Sequence, residues 1–262
     1  MAEFISLYSG SSGNCNVVRA GDRYLMIDMG KSCKITVEAL KKIGLPIANC
    51  DGILITHEHS DHVKGLRVFL KKHRVPVYGA ADTLDMLWQN ELVPEDADLH
   101  TITYAREDIG AFAVCAFQTS HDVPCVGYRV QTPDARIMAI ATDLGHLTPV
   151  VEKALVGCDL VALESNYDPY RLQESFYPEY LKTRIRSNRG HLCNEMCSEK
   201  IVQLLQAGCK KFALCHLSKE NNTPELALHA VLLALAAHGM KPDADCVVQA
   251  QYRDEVSPAI TF

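Results

Sequence analysis

Several common features are missing from this 262-residue chain, and each absence narrows what it does. Positive charge is in deficit. Lys and Arg number 26 against 32 Asp and Glu, a formal net charge of -6, so no global basic field draws in nucleic acid and a polyanion would need a local patch. Long apolar runs are lacking too: "LALHAVLLALAA", near 226 to 237, is broken by His229 and falls short of the roughly 20 residues that span a bilayer. It reads as a packed helix, and no membrane partner is expected. The opening "MAEFISLYSG" has no basic stretch, apolar core and small-residue cleavage site of a secretory signal. Cysteines number 11, but the odd count and the absence of any CxxC pair argue against a disulfide framework or a zinc ribbon. Cys193 and Cys197, four apart, read as one helix face, and a reducing cytoplasm is the expected compartment. Linkers, low-complexity tracts and short repeats are absent as well. With 48% hydrophobic residues the chain can bury a large core, so one compact α/β domain over residues 1 to 262 is the simplest expectation.

What is present begins as a meander of β-type runs, "FISLYS", "CNVVR" and "RYLMID", separated by Gly, Ser and Asn turn signals. Helical spacing takes over in "SCKITVEALKKIG", with Ser32 as cap and Gly44 as stop. Strands "GILIT" and "PVYG" then alternate with helices "DHVKGLRVFLKKH" and "DTLDMLWQN". Three further β-type runs, "FAVCAFQTS", "VGYRVQT" and "RIMAIATD", precede a helix at "TPVVEKAL" and a strand at "DLVALES". Helices around 178 to 187 and 194 to 206, the strand "KFALCH", a helix launched by Thr223 and Pro224, and the strand "DCVVQAQ" complete the pattern. Strands mixed with helices in both halves predict two packed sheets with helices outside.

The chemistry concentrates in "THEHSDH", residues 56 to 62, directly after the apolar run "GILI". Imidazoles and carboxylates crowded against a buried strand are costly unless something pairs with them, and a divalent cation satisfies several at once. Other β-type runs also end in ligand types: "AFQTSH" in His121, "AIATD" in Asp143 and "FALCH" in His216. In extended backbone alternate residues share a side, so His57 and His59 can grip one cation together with His121. Asp61 and His62, where the chain turns into a helix, would serve a second with His216, and Asp143 would bridge the two. HxHxDH after a strand is a metal-site spacing rather than a solvated surface.

These residues resemble the metallo-β-lactamase fold superfamily, whose HxHxDH, later His, later Asp and final His are matched at 57 to 62, 121, 143 and 216. The resemblance implies an αββα four-layer sandwich with two mixed β-sheets flanked by helices, and a site for two divalent metal ions, Zn or Mn, at one edge. It also implies that Asp28 supports the ligands from behind, although a turn cap would look the same. A narrower similarity, in "SGSSGN", "TDLG", "LESN", "RGHL" and "HLSKENNTPELA", is to the YycJ/WalJ (VicX) group of bacterial metallo-hydrolases. That group is associated with nuclease activity on DNA, so an exonuclease-type phosphodiesterase is the implied function. No inserted helicase-like or β-CASP segment is visible.

A bridged cation pair can polarise a phosphoryl oxygen and lower the pKa of bound water from 15.7 towards roughly 7, so no serine nucleophile is needed. Asp61 would orient that water while ligating metal. His191, in "RGHL", would contact phosphate or protonate the leaving group, or simply cap a helix. The basic run "KTRIRSNRGH" holds Lys182, Arg184, Arg186 and Arg189, either a strand-guiding patch or a solvated helix face. "SGSSGN" is either a hairpin turn or a cradle offering Ser11 and Asn14 to an anion; Ser218 and Lys219 follow His216 closely enough to meet the same phosphate. Two rivals stay open: hydrolysis of a thioester, lactone or small phosphodiester at the same kind of site, and a metal-bound regulatory protein without turnover.

Overall fold

The computed structural model describes residues 1–242 and 244–262. One sheet comprises β1 (Ala2–Tyr8), β2 (Cys15–Ala20), β3 (Arg23–Ile27), β4 (Cys50–Ile55), β5 (Val77–Gly79) and β6 (Leu99–Thr101). The other comprises β7 (Glu107–Ile109), β8 (Phe112–Gln118), β9 (Val126–Gln131), β10 (Ile137–Ala141), β11 (Leu160–Glu164), β12 (Lys211–Cys215) and β13 (Val247–Ala250). A last short strand, β14 (Ile260–Thr261), returns to the first sheet and pairs antiparallel with β1. The strand orders are β14-β1-β2-β3-β4-β5-β6 and β13-β12-β11-β10-β9-β8-β7. In each sheet the antiparallel meander gives way to parallel pairing, from β3 to β6 in one and from β10 to β13 in the other.

Helices α1 (Cys33–Lys42), α2 (Ser60–Val63), α3 (Leu66–Leu70) and α4 (Ala81–Gln89) belong to the first half of the chain. In the second half lie α5 (Pro149–Leu155), α6 (Pro169–Glu174), α7 (Glu179–Arg186), α8 (Asn194–Gln206) and α9 (Pro224–Ala237). Three large apolar clusters occupy the spaces between four layers. Along β3, Tyr24 and Met26 join the cluster under α1 and α3, whereas Leu25 and Ile27 face the other sheet. Along β12, Phe212 and Leu214 pack toward α8 and α9 while Ala213 and Cys215 face inward. This two-residue alternation between two apolar faces makes each sheet an inner layer, so the expected αββα sandwich is the observed one.

Local signals act as expected at several helix starts. Ser32, Thr148 and Thr223 each accept a hydrogen bond from the N–H three residues on, with Pro149 and Pro224 at the first helical position. Gly44 has φ +70° just beyond α1. Cys193 precedes α8 and Cys197 is buried on its inner face. The stretch "DHVKGLRVFLKKH" departs from expectation, because it is two short helices rather than one. The break falls at Gly65, whose N–H bonds Met29 O at 3.0 Å, and where a Cβ would meet Lys31 O at 2.0 Å. Among the described residues no helix is long and apolar enough to cross a membrane.

Candidate metal centre and substrate cavity

Chain direction brings the polar groups together. Strands β10, β11 and β12 run parallel, so the residues at or just past their C-terminal ends, Asp143, Glu164 and His216, share one rim. In the facing sheet, parallel β3 and β4 deliver Asp28 and His57 to the corresponding edge. Strand β8, antiparallel to β9 as β9 is to β10, sends the chain toward the same rim, where His121 sits in the loop three residues beyond its end. Asp28, Asp143 and His216 have φ values of 63°, 57° and 56°. Such left-handed backbone costs non-glycine residues about 1–3 kcal/mol each. It turns each side chain off its strand axis and into the site.

The structure brings the sequence-predicted groups close together, and it adds one that was not expected, Asp143, Glu164, His191 and His216. Ligand-type atoms of His57, His59 and His121 lie within 4.8 Å of one another, as do those of Asp61, His62 and His216 and those of His57, His62 and Asp143. Asp143 Oδ2 is 3.4 Å from His62 Nε2, and Asp143 Oδ1 is 4.0 Å from His121 Nε2. The carboxylate therefore stands between the two His-rich groups.

Whether this set suits a cation is decided by the other ring nitrogens. His62 Nδ1 donates to Asp28 Oδ2 at 2.8 Å, His216 Nδ1 to Glu164 Oε1 at 2.7 Å, and His121 Nδ1 to Gly190 O at 3.3 Å. His57 Nδ1 lies 3.0 Å from Thr56 Oγ1, which in turn donates to Asp28 Oδ2 at 2.9 Å. In these four histidines Nδ1 is held by an acceptor, which turns Nε2 toward the centre, the arrangement that orients metal-ligating histidines; His59 differs, with its Nδ1 3.0 Å from His57 Nε2. His121 Nε2 and Asp143 Oδ2 are buried and find no hydrogen-bond partner among the described residues. Unsatisfied donors and acceptors of this kind are costly, and the His/Asp donor set without thiolate fits Zn or Mn.

Proton affinities report the same crowding. Burial, reinforced by neighbouring imidazoles, pushes His57 well below the ordinary histidine value, and burial likewise lowers His121. At His216 burial opposes charge, but Asp143, Asp61 and Glu164 win and raise it to about 10. His62 is raised for the same reason, by Asp143, Asp28 and Asp61 against its burial. Burial would raise the Asp61 carboxyl, yet His62 and His216 hold it far below its usual range.

Glu164 is the residue that sequence reasoning passed over, although it sits within the quoted "LESN". It is fully buried. Its Oε1 accepts from His216 Nδ1 and, at 2.8 Å, from His191 Nδ1, while Oε2 accepts from Leu144 N and Leu192 N, both at 3.1 Å. With both oxygens so occupied it buttresses the site rather than ligating. Burial pushes its carboxyl up, but the two imidazoles outweigh burial and keep it ionised below the usual range. A carboxylate ending a buried apolar strand is the same signal that marked Asp143, and it could have found Glu164. Asn166, in the same motif, donates to His216 O at 2.7 Å.

A cavity of about 170 Å³ opens beside these groups, lined among others by Ser11, His121, Tyr177, Arg184, His191 and Ser218. Arg189 lines it too, but its Nε and Nη2 donate to His121 O and Asp122 O at 2.8 and 3.1 Å, so much of the guanidinium braces the loop that carries His121. Asn14, expected to meet substrate, turns toward Asp61 and His62 instead. Its amide is 3.1 Å from His62 Nε2 and 3.4 Å from Asp61 Oδ2, its Oδ1 accepts from Gly10 N, and it does not line the cavity. The basic run also divides: Lys182 is buried on Gln173 O, Arg186 pairs with Glu179, and Arg184 reaches the cavity while bonded to Asp122. Lys219 is exposed.

Comparison with known proteins agrees with this architecture. Residues 8–173 match the family model of the metallo-beta-lactamase superfamily. The chain is 34% identical over 239 residues to exodeoxyribonuclease YycJ of Bacillus anthracis, covering 90% of each chain. It is 30% identical over 255 residues to exodeoxyribonuclease WalJ of Streptococcus pneumoniae serotype 2, covering 96% of this chain and 95% of that one. Among solved structures, the metallo-beta-lactamase fold protein YhfI from Bacillus subtilis superposes with a TM-score of 0.71 at 14% identity, over 98% of this chain and 99% of that one.

Proposed function

This chain belongs to the metallo-beta-lactamase superfamily, and from that premise we propose that it is a dinuclear metal-dependent hydrolase of phosphodiester bonds, an exonuclease acting on DNA. The observation that carries the reading is that His57, His62, His121 and His216 direct Nε2 to one centre around Asp143, each with an acceptor behind its ring. His57, His59 and His121 would hold one cation, Asp61, His62 and His216 the other, with Asp143 shared. A pair of Zn or Mn ions held there would supply Lewis-acid polarisation of a phosphoryl oxygen and a water that ionises near neutral pH. Zinc is the first choice on the donor set.

The chain's own groups supply the rest. Asp61, beside His62 and His216, would orient the attacking water by accepting a hydrogen bond from it. His191 lines the cavity with Nδ1 tied to Glu164, so its Nε2 is the atom that protonates the leaving oxygen, and the Glu164 carboxylate stabilises the imidazolium that does so. Ser11, Ser218 and Arg184 line the cavity where the phosphate would lie and would contact its oxygens. The exodeoxyribonuclease names of the two relatives support DNA as the polymer. Cysteines without a pairing framework support a reducing cytoplasm as the compartment.

The test is an assay of purified protein on end-labelled duplex and single-stranded DNA, a chromogenic phosphodiester and a thioester, with and without Mn or Zn, beside His59→Ala. Stepwise shortening from one end that needs metal and His59 is the expected result. Thioester turnover with every phosphodiester left intact would overturn the substrate assignment, and no turnover at all by metal-loaded protein would favour a regulatory role.

A further inference from the structure

A second groove, of about 610 Å³, adjoins the candidate active cavity and is lined by Tyr170, Arg171, Glu174, Phe176, Tyr177 and Glu220. Tyr177 lines both spaces, so the groove continues directly from the place where the scissile phosphate would lie. Its rings are unusually open for a folded protein. Tyr170 is 74% exposed, Phe176 is fully exposed and nearby Tyr180 is 77% exposed. The other exposed large aromatics among the described residues, Trp88, Tyr104 and Tyr252, are far from this stretch in sequence and line neither space. Phe176 has no polar handle that would explain keeping its ring in water, and clustered exposed apolar surface marks a binding site.

We propose that this groove is a stacking platform for the unpaired bases of a single-stranded segment entering the active cavity, an inference that rests on the phosphodiesterase reading above. Every base offers a π-face, so exposed rings bind single strands with little sequence preference, and a paired duplex hides those faces. The charges around the groove agree with a strand presented base-first. Glu174 and Glu220 on its wall repel phosphates, whereas Arg184 stands in the adjoining cavity where the backbone must lie. Arg171, also on the wall, can stack its guanidinium on the face of a base. The occupant is thus a nucleic-acid strand with its bases toward Tyr170 and Phe176 and its backbone toward the Arg184 side.

Metal-loaded protein is titrated by fluorescence anisotropy with a phosphorothioate oligothymidylate, which resists hydrolysis, and with an abasic phosphorothioate strand of equal length and charge. Phe176→Ala and Tyr170→Ala remove exposed rings and leave the core intact; Tyr104→Ala, an exposed ring on another groove, is the control. The expected result is a loss of affinity for oligothymidylate of at least about fivefold per ring, kept at raised salt, with no change for the abasic strand or for Tyr104→Ala. Equal binding of the two strands by the wild type, no binding of oligothymidylate, or variants that bind it like the wild type overturns the platform. So does a shift in sedimentation that shows the rings joining two copies of the chain with strand binding unchanged. Failure of the phosphodiesterase reading would appear instead as intact substrates in the cleavage assay, whatever the binding result.

Discussion

Glu164 Oε1 lies 2.7 Å from His216 Nδ1 and 2.8 Å from His191 Nδ1, so one buried carboxylate sets the proton positions of a candidate ligand and a candidate acid together. The amide of Glu164→Gln can keep its oxygen toward Leu144 N and Leu192 N only by turning its NH2 toward both imidazoles. An NH2 donor there forces the proton of His216 onto Nε2, the nitrogen that must face the cation. The variant is therefore expected to lose about 10- to 100-fold in affinity at the second metal site, and metal analysis should fall from two ions per chain toward one. Full metal content and wild-type turnover in Glu164→Gln would contradict this linkage.

His191→Ala separates proton delivery from metal binding. Removing a positioned acid costs typically about 10²- to 10⁴-fold in rate, while His62, His121 and His216 keep their Nδ1 acceptors, so metal content should stay at the wild-type level. The penalty depends on the leaving group. An alkoxide leaving from DNA needs the proton and a nitrophenolate does not, so the variant should lose most of its activity on DNA and little on a nitrophenyl phosphodiester. Equal losses on both substrates would assign His191 to phosphate binding.

Metal uptake should release protons. Without a cation, Asp143, Asp61 and Glu164 hold a proton on His216 up to a pKa of about 10, and Asp143, Asp28 and Asp61 similarly raise His62. Carboxylates thus favour the charged form of both rings in the metal-free protein, and a ring that carries a proton on Nε2 must lose it before that nitrogen can ligate. His57 and His121, lowered by burial, have none to lose. Apparent affinity should therefore rise with pH across the neutral range. Calorimetric titration at neutral pH in buffers of different ionisation enthalpy should show net proton release; a heat independent of the buffer would refute it.

The parts of this site that local chemistry dictates were legible in the chain. HxHxDH compresses ligand-type side chains from a strand end and the following turn into residues 57 to 62, and His121, Asp143 and His216 each follow an apolar run that forms a strand. The groups behind them were not legible, because their roles exist only through pairing across the fold. Thr56 reads as an ordinary strand residue until its hydroxyl is seen between His57 and Asp28. Arg189 looks like a phosphate ligand until its guanidinium is found on the carbonyls of His121 and Asp122, and Asn14 until its amide is found beside Asp61 and His62. Of the strands of two or three residues, β5 is marked by the turn residues that flank it, whereas β6, β7 and β14 are too short to display a two-residue period. The break between α2 and α3 is imposed by the approach of the Lys31 backbone to Gly65, which no helical propensity records.

Close backbone approach also makes Gly30 a stability determinant with a measurable signature. Gly30 N donates to Asn14 O at 2.8 Å, and Asn14 N donates to Asp61 O at 2.8 Å, so three loops meet where no side chain stands between them. A Cβ on residue 30 would lie 1.7 Å from Asp61 O and 2.6 Å from Asn14 N. These are main-chain atoms that cannot rotate away, so Gly30→Ala must push apart the loop carrying Asp61 and His62. Overpacking of this kind costs about 3 kcal/mol, and the displaced loop takes ligand atoms of the second cation with it. Urea unfolding of the metal-free variant should show the loss with an unchanged denaturant slope, and the metal-loaded variant should regain less stability from the cations than the wild type does. An unfolding midpoint equal to the wild type would mean that the loops yield freely and that the Asn14–Gly30–Asp61 junction does not hold the site.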